Sequence, residues 1–454
     1  MIAMLFLTLL IGLCPTSHSW VPPSARNLNL LTALRATTAT SNNVVLRPSQ
    51  DAEAFDSFEI GSARVHRYIR EGTSDGSAEA EYVMWFDGRS QNLHEDKSLP
   101  ALSTGRIGSA TSRNGLQWEK VTEGSLAEDS SDVSLGLNQE SWWGFDTSHV
   151  GLGQVMLPMS TPAVVTEGGV YIMYFFGGSQ EETPLSDYIE TDSDAKVKGM
   201  KMRIGVAISN DGKTWGRVEG DDPTGACVAP YDKEDPNQKG VSSMRDDDDS
   251  LLNLEEELYC AWPEVAVKML TEDEQETKLG KKMPSFFMYY STMRKSDKKK
   301  CLALAVSTDG FEWMKRGICL EPDDAGMDAA GCARCNVLQK ASFEDGAWKN
   351  EDGWVMLYEG VSKEDGKHRI MMAESEDGRS WEKRGIAFNA GESEEAWDFG
   401  GVGSPHVIRL DDGSMRMYYT GKGADGSSAI GVAKVESATD MTQWTREQAE
   451  FAFN

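Results

Sequence analysis

The chain has 454 residues, with 73 acidic against 45 basic side chains and a formal net charge of −28. That balance argues against nucleic-acid binding, because affinity for phosphate backbones rests on clustered Lys and Arg. Hydrophobic residues at 39% and charged residues at 26% match ordinary globular usage, which speaks against disorder and for one large domain or two small ones.

Ile2 to Cys14 is an apolar run too short to span a bilayer, and Ser17-His18-Ser19 after it offers small residues around a signal-peptidase site. Residues 1–19 therefore read as a signal peptide. Residues 20–50 open with Trp20, are rich in Ser and Thr, carry Arg26, Arg35 and Arg47, and contain no acid before Asp51. That segment reads as a transit-like presequence. The pair resembles the bipartite presequence of algae with complex plastids, which implies a plastid location and no membrane association after its removal. The alternative is a secreted protein with an N-terminal linker, against which no Asn-x-Ser/Thr acceptor occurs in the chain.

From residue 55 onward the chain repeats. Aromatic strands read Met84-Trp85-Phe86, Met173-Tyr174-Phe175, Met288-Tyr289-Tyr290, Met356-Leu357-Tyr358 and Met417-Tyr418-Tyr419. Each precedes a Ser-x-Asp/Asn-Gly-x-x-Trp turn: Ser112 to Trp118, Ser209 to Trp215, Ser307 to Trp313, Ser375 to Trp381, and a degenerate copy with Asp440, Met441 and Trp444. Asp-Gly and Asn-Gly between apolar alternations predict hairpins of type I′. A short strand before each aromatic one is expected at Arg64-Val65, Ala163-Val164-Val165, Glu264-Val265, Asn336-Val337 and His406-Val407. Each copy then holds about four strands. A lone four-stranded sheet cannot bury both faces, and radial stacking solves this. The expected fold is all-β, a five-bladed β-propeller of four-stranded antiparallel blades over 55–454; a six-bladed one is the alternative.

Segment 219–257, with Asp246 to Asp249 and Glu255 to Glu257, reads as a solvated acidic insertion to which the Lys-rich Arg294 to Lys300 could dock. Cys332 and Cys335 form a C-x-x-C, read as buried free thiols or a redox pair.

The repeated turns and Met-Tyr-Tyr strands resemble the five-bladed propeller glycosidases, the superfamily of arabinanases, β-xylosidases, invertases and levansucrases (glycoside hydrolase families 43, 32 and 68). The resemblance implies carboxylate acid/base chemistry on a carbohydrate, with an Asp base, a pKa-modulating Asp and a Glu acid near the starts of successive inner strands. Glu264 in Trp262-Pro263-Glu264-Val265 is the residue to carry over as proton donor. The Asp-Pro signatures are missing, and Asp146 or Asp56, in the loops ahead of the inner strands, would have to supply the base. Asp328 and Asp398 occupy equivalent places, so this Asp set also reads as scaffold. Where the repeat breaks, Arg64, Arg334, Asn336 and His406 are expected to line a polar funnel, with His149 and Trp143 nearby and Trp142 and Trp397 as further stacking candidates. No cofactor is expected, although the resemblance makes His406 a possible neighbour of a central metal. The ligand is expected to be a small molecule or oligosaccharide. The competing reading is a carbohydrate-binding or scaffold protein that kept the fold and lost the carboxylate pair.

Overall fold

A computed structural model describes residues 43–70, 79–90, 96, 98–99, 101–122, 132–159, 169–235, 254–268, 286–437 and 440–449. Nearly all of the presequence, the run Asp246 to Asp249 and the expected strand Ala163 to Val165 lie outside the described residues.

The strands group into five antiparallel meanders of four. The first holds β1 (Glu59–Arg70), β2 (Glu79–Arg89), β3 (Arg106–Ser112) and β4 (Glu119–Lys120). The second holds β5 (His149–Met159), β6 (Val170–Gly178), β7 (Arg203–Ser209) and β8 (Gly216–Val218), and the third β9 (Glu257–Val267), β10 (Phe286–Arg294), β11 (Lys300–Ser307) and β12 (Met314–Leu320). The fourth holds β13 (Gly331–Glu344), β14 (Ala347–Val361), β15 (His368–Ser375) and β16 (Glu382–Phe388), and the fifth β17 (Gly401–Arg409), β18 (Met415–Lys422), β19 (Ser428–Val435) and β20 (Thr445–Arg446).

First strands touch in the cyclic order β1, β5, β9, β13, β17 and back to β1. The sheets therefore stand around an axis as a β-propeller. Apolar residues on both faces of each sheet explain the arrangement. Separate cores form between neighbouring meanders: Trp85 with Phe175, Tyr174 with Met288, Tyr289 with Met356, Leu357 with Met417, and Met84 with Tyr418 share one core each. The ring is closed by a short strand, Val44–Leu46, which pairs with β19 in the fifth meander. Residues 44–46 were expected in the presequence. They are buried in the last sheet.

The expected first strand of unit two is also reassigned. The described first strand of that meander is His149–Met159, so Gln154-Val155 takes the place expected of Ala163-Val164.

The repeated turns hold differently from a type I′ hairpin, because only their Gly is left-handed, at φ between 71° and 84° in Gly115, Gly212, Gly310 and Gly378. The side chains close the turn instead. Ser307 Oγ accepts the N–H groups of Asp309 and Gly310, and Asp309 Oδ1 accepts those of Phe311 and Glu312 at 2.8 and 3.0 Å. The Gly carbonyl then ties one meander to the one before it. Tyr418, Trp85, Tyr174 and Tyr289 donate to the carbonyls of Gly115, Gly212, Gly310 and Gly378 in turn. The fifth bond of this set is missing at both ends: unit four has Leu357 where the donor would be, and unit five has Met441 where Gly would be. Both lie in one apolar core. Asp309→Ala should cost about 1 to 2 kcal/mol, since two backbone donors lose their acceptor. Urea unfolding would measure it, and an unchanged midpoint would show that water replaces the carboxylate.

Acidic and basic segments do dock in part. Arg294 pairs with Glu255 and Lys295 with Glu256. The six described cysteines are free thiols, and Cys332 and Cys335 are buried, with burial pushing both far above the usual thiol range.

Candidate functional site

At one level near the axis each first strand carries one extra residue relative to its neighbour, a bulge that shifts register. In four of the five the bulge holds a non-Gly residue at positive φ: Ser62 (52°), Trp262 (50°), Arg334 (37°) and Ser404 (48°). Such backbone costs of the order of 1 to 3 kcal/mol and tends to persist where function needs a side chain re-aimed. These four residues line one pocket at the axis. The space among them, open solvent at its mouth included, is about 710 Å³.

The rest of the wall comes from the ends of neighbouring strands: Glu59 and Ile60 of β1, Asp87 and Arg89 of β2, Glu359 of β14, His368 of β15, and Thr420 and Lys422 of β18. Glu359 anchors this wall. Its Oε1 takes Arg334 Nη1 at 2.8 Å and His368 Nδ1 at 2.5 Å, and its Oε2 accepts the Ser404 N–H at 3.0 Å. Against the cost of burial, Arg334 and His368 hold Glu359 well below the usual carboxylate range. Glu59 Oε2 pairs with Arg89 at 2.9 Å. Against burial again, Lys422, Arg89 and Arg334 keep Glu59 ionised. Asp87 behaves in the opposite way. Burial pushes its carboxyl up to about 6, and the Leu152 N–H, Arg89, Ser62 and Arg334 oppose that only in part.

Beneath the bulges, the residue before each Val of the first strands forms a polar belt across the axis. Arg64 Nε donates to the Gly153 carbonyl at 2.6 Å, and Gln154 Nε2 donates to Glu264 Oε1 at 3.4 Å. Glu264 Oε1 also accepts Asn336 Nδ2 at 2.7 Å and the Val337 N–H at 3.2 Å. Asn336 Oδ1 accepts the Val407 N–H, and His406 Nε2 meets the Val65 carbonyl at 3.0 Å. Arg64 Nη2 stands 3.5 Å from Glu264 Oε2. The belt therefore runs through all five first strands. Arg64, Glu264, Asn336 and His406, expected on the funnel wall, are buried in this belt and are absent from the residues lining the pocket. Arg334 is the one residue of that expected set on the wall.

Asp56 and Asp146, expected as bases, are tied into the scaffold. Asp56 pairs with Lys120 on β4 and Asp146 with Arg217 on β8 at 2.6 Å. The same contact recurs as Glu257 with Lys315 on β12, Asp328 with Lys383 on β16 at 2.5 Å and Asp398 with Arg446 on β20 at 2.7 Å. An acid ahead of or opening each first strand thus clamps a cation of the fourth strand, in every meander. His149 is buried with Nε2 on the Gly199 carbonyl, and burial brings it to about 3. Trp143 is 42% exposed and Trp142 87%, and neither lines the pocket. Trp397 stacks on Tyr419 and donates to Asn43, so it fills the fifth meander. Among the described residues no three His, Cys, Asp or Glu side chains are grouped as a metal site; His406 meets the Val65 carbonyl, with Arg64 and His66 as its titratable neighbours.

Asp87 and Glu359 stand on second strands, outside the first-strand positions from which the funnel is expected in the sequence. A signal was present. Three residues after each repeated Met stand Asp87, Phe176, Ser291, Glu359 and Thr420, a second place where the repeat breaks.

No protein-family model matches the chain, and no curated protein matches it in sequence. Solved structures do match. A proposed glycoside hydrolase of Bacteroides ovatus ATCC 8483 aligns with TM-score 0.50 at 12% identity, covering 89% of this chain and 96% of that one. A glycosyl hydrolase of Bacteroides ovatus gives 0.49 at 14% identity, with coverage of 90% and 94%. The GH32 β-fructofuranosidase of Bombyx mori gives 0.48 at 12%, covering 92% of this chain and 68% of its own. The chain has the fold of the propeller glycoside hydrolases.

Proposed function

We propose that this protein cleaves a glycosidic bond in the axial pocket, with Asp87 as proton donor. One observation carries the reading: two carboxyl groups on the same wall are pushed in opposite directions, Asp87 raised to about 6 and Glu59 lowered. Acid and base roles divide where environments push two carboxyl groups apart in this way. Glu59 pairs with Arg89 and Gly61 with Asp87 across the β1–β2 ladder. Glu59 and Asp87 are thus diagonal neighbours on one face, roughly 7 Å apart at the backbone. That is within reach of the separations glycosidases use, roughly 5 to 10 Å. The proton-donor role expected of Glu264 passes to Asp87 in this proposal, because the Glu264 carboxyl lies below the pocket.

A binding protein is the second reading, favoured by the ion pairs that occupy Asp56 and Asp146. A panel of aryl glycosides and plant and algal polysaccharides separates the two. Release of product by the wild type and its loss in Asp87→Asn supports the enzyme, whereas saturable binding without product supports the other. The proposal also places the protein in a plastid, on the strength of the composition of residues 1–42. Among the described residues no helix is long and apolar enough to cross a membrane.

A further inference from the structure

The chain carries 73 acids against 45 bases, yet Arg89, Arg334 and Lys422 face one another across the wall of the axial pocket. Each repels the others: beside its burial and against the pull of Glu59, both arginines help to bring Lys422 down to about 8. Their protein partners leave donors over. Lys422 Nζ has Glu59 Oε1 as its ion partner at 3.8 Å, beyond hydrogen-bond reach. Arg334 commits Nη1 to Glu359, and its guanidinium lies over the Trp262 ring with Cζ 4.3 Å from the centroid. Among the described residues its Nε and Nη2 meet no hydrogen-bond acceptor within the protein. Arg89 likewise uses only Nη1, on Glu59.

Two features say what should sit there. A guanidinium held over an indole face, with Nη1 on a carboxylate and Nε and Nη2 unspent, can meet the paired oxygens of a carboxylate or phosphate. It also covers the Trp262 face, so that ring cannot serve as a platform for a neutral sugar. His368 adds a second, independent element. It is 9% exposed, its Nδ1 faces Glu359, and its buried Nε2 has no partner. With the Nδ1 proton on the Glu359 side, Nε2 is an acceptor, suited to a ligand hydroxyl.

We infer that the axial pocket binds a sugar bearing an oxyanion, a carboxylate or a phosphate, with Arg334, Arg89 and Lys422 on the anion and His368 Nε2 on a hydroxyl. This rests on the carbohydrate reading above and narrows its substrate class. The pairing is cheap for the protein, since the cations are already gathered and partly desolvated before the ligand arrives.

The test is calorimetric titration of the protein with four probes: galacturonate, glucose 6-phosphate, inorganic phosphate and glucose. Saturable binding of galacturonate or glucose 6-phosphate, at least tenfold tighter than glucose and weakened at least tenfold in Arg334→Gln and in Lys422→Met, supports the inference. Preference between the two charged sugars tells carboxylate from phosphate. Lys422→Met serves where Arg334→Gln fails to fold, because its one ion pair is long. Inorganic phosphate binding without either sugar keeps the anion site and sinks the carbohydrate reading. Glucose binding as tightly as the charged sugars, unaffected by either variant, keeps the carbohydrate reading and overturns the anion. Binding of none of the four overturns the inference outright.

Discussion

Asp87→Asn is expected to lower turnover at least 100-fold while raising, or leaving unchanged, the melting temperature at pH 8. Loss of a general acid commonly costs about 10² to 10⁴ in rate. The stability half of the result follows from linkage. Asp87 has a folded pKa of about 6 against an ordinary value of 3.8, so ionising it is harder in the fold than in the unfolded chain. That penalty is absent below the ordinary value, builds as pH rises between the two, and is fully present above about 6. It corresponds to roughly 3 kcal/mol at pH 8. Asparagine removes the charge and keeps an oxygen for the Leu152 N–H, the contact that Asp87 Oδ1 makes in the native protein. Thermal melts of both proteins at pH 5 and pH 8 would test this without any substrate. A variant less stable at pH 8 than the wild type would assign Asp87 to the scaffold and remove it as proton donor. Full activity in the variant would do the same from the other side.

Glu264→Ala is expected to be the most damaging single change in the belt, at about 3 to 5 kcal/mol, because it strands a buried cation and three donors at once. Arg64 is 3% exposed and would lose its carboxylate, while Asn336 Nδ2, the Val337 N–H and Gln154 Nε2 would lose their acceptor. Glu264→Gln should cost less. Its amide oxygen can keep the Asn336 and Val337 bonds, whereas its amide nitrogen would face Arg64. Urea unfolding of the two variants measures the order directly. If the alanine variant unfolds at the wild-type midpoint, the belt is not what joins the five first strands, and a Glu264 role in chemistry regains its ground. Burial outweighs the attraction of Arg64 and raises the Glu264 carboxyl. By the same sign argument as for Asp87, the native charge is costly, and only the bonds around Oε1 make the residue worth keeping.

The two variants together separate scaffold from chemistry. Both target carboxyl groups near the axis, and both side chains have a raised pKa. They differ in position: Asp87 lines the pocket, and Glu264 lies in the belt below it. A melting curve and a rate for each would locate the reaction, if the two effects fall on different residues as expected.

The repeat was legible in the sequence because it is local. A Ser, an Asp and a Gly within four residues close a turn with bonds to their own backbone, and an apolar aromatic triplet makes a buried strand wherever it stands. Radial packing followed from counting such units. The recurring acids before the first strands also read as scaffold from the sequence, with Asp146 as the expected exception; in the fold each pairs with a fourth-strand cation, Asp146 among them. Which carboxyl faces the ligand was decided only by the tertiary structure. Glu264 and Trp262 are two residues apart on one strand, yet one lies in the belt and the other lines the pocket, because a bulge re-aims the side chain between them. A bulge depends on how two strands align, so its place follows from the pairing of residues well apart in the chain and not from the strand's own residues alone. Asp87, Glu359 and Lys422 come from three strands in three different meanders. Closure of the ring, completed by Val44–Leu46 on the last sheet, is what brings their ends to a single mouth.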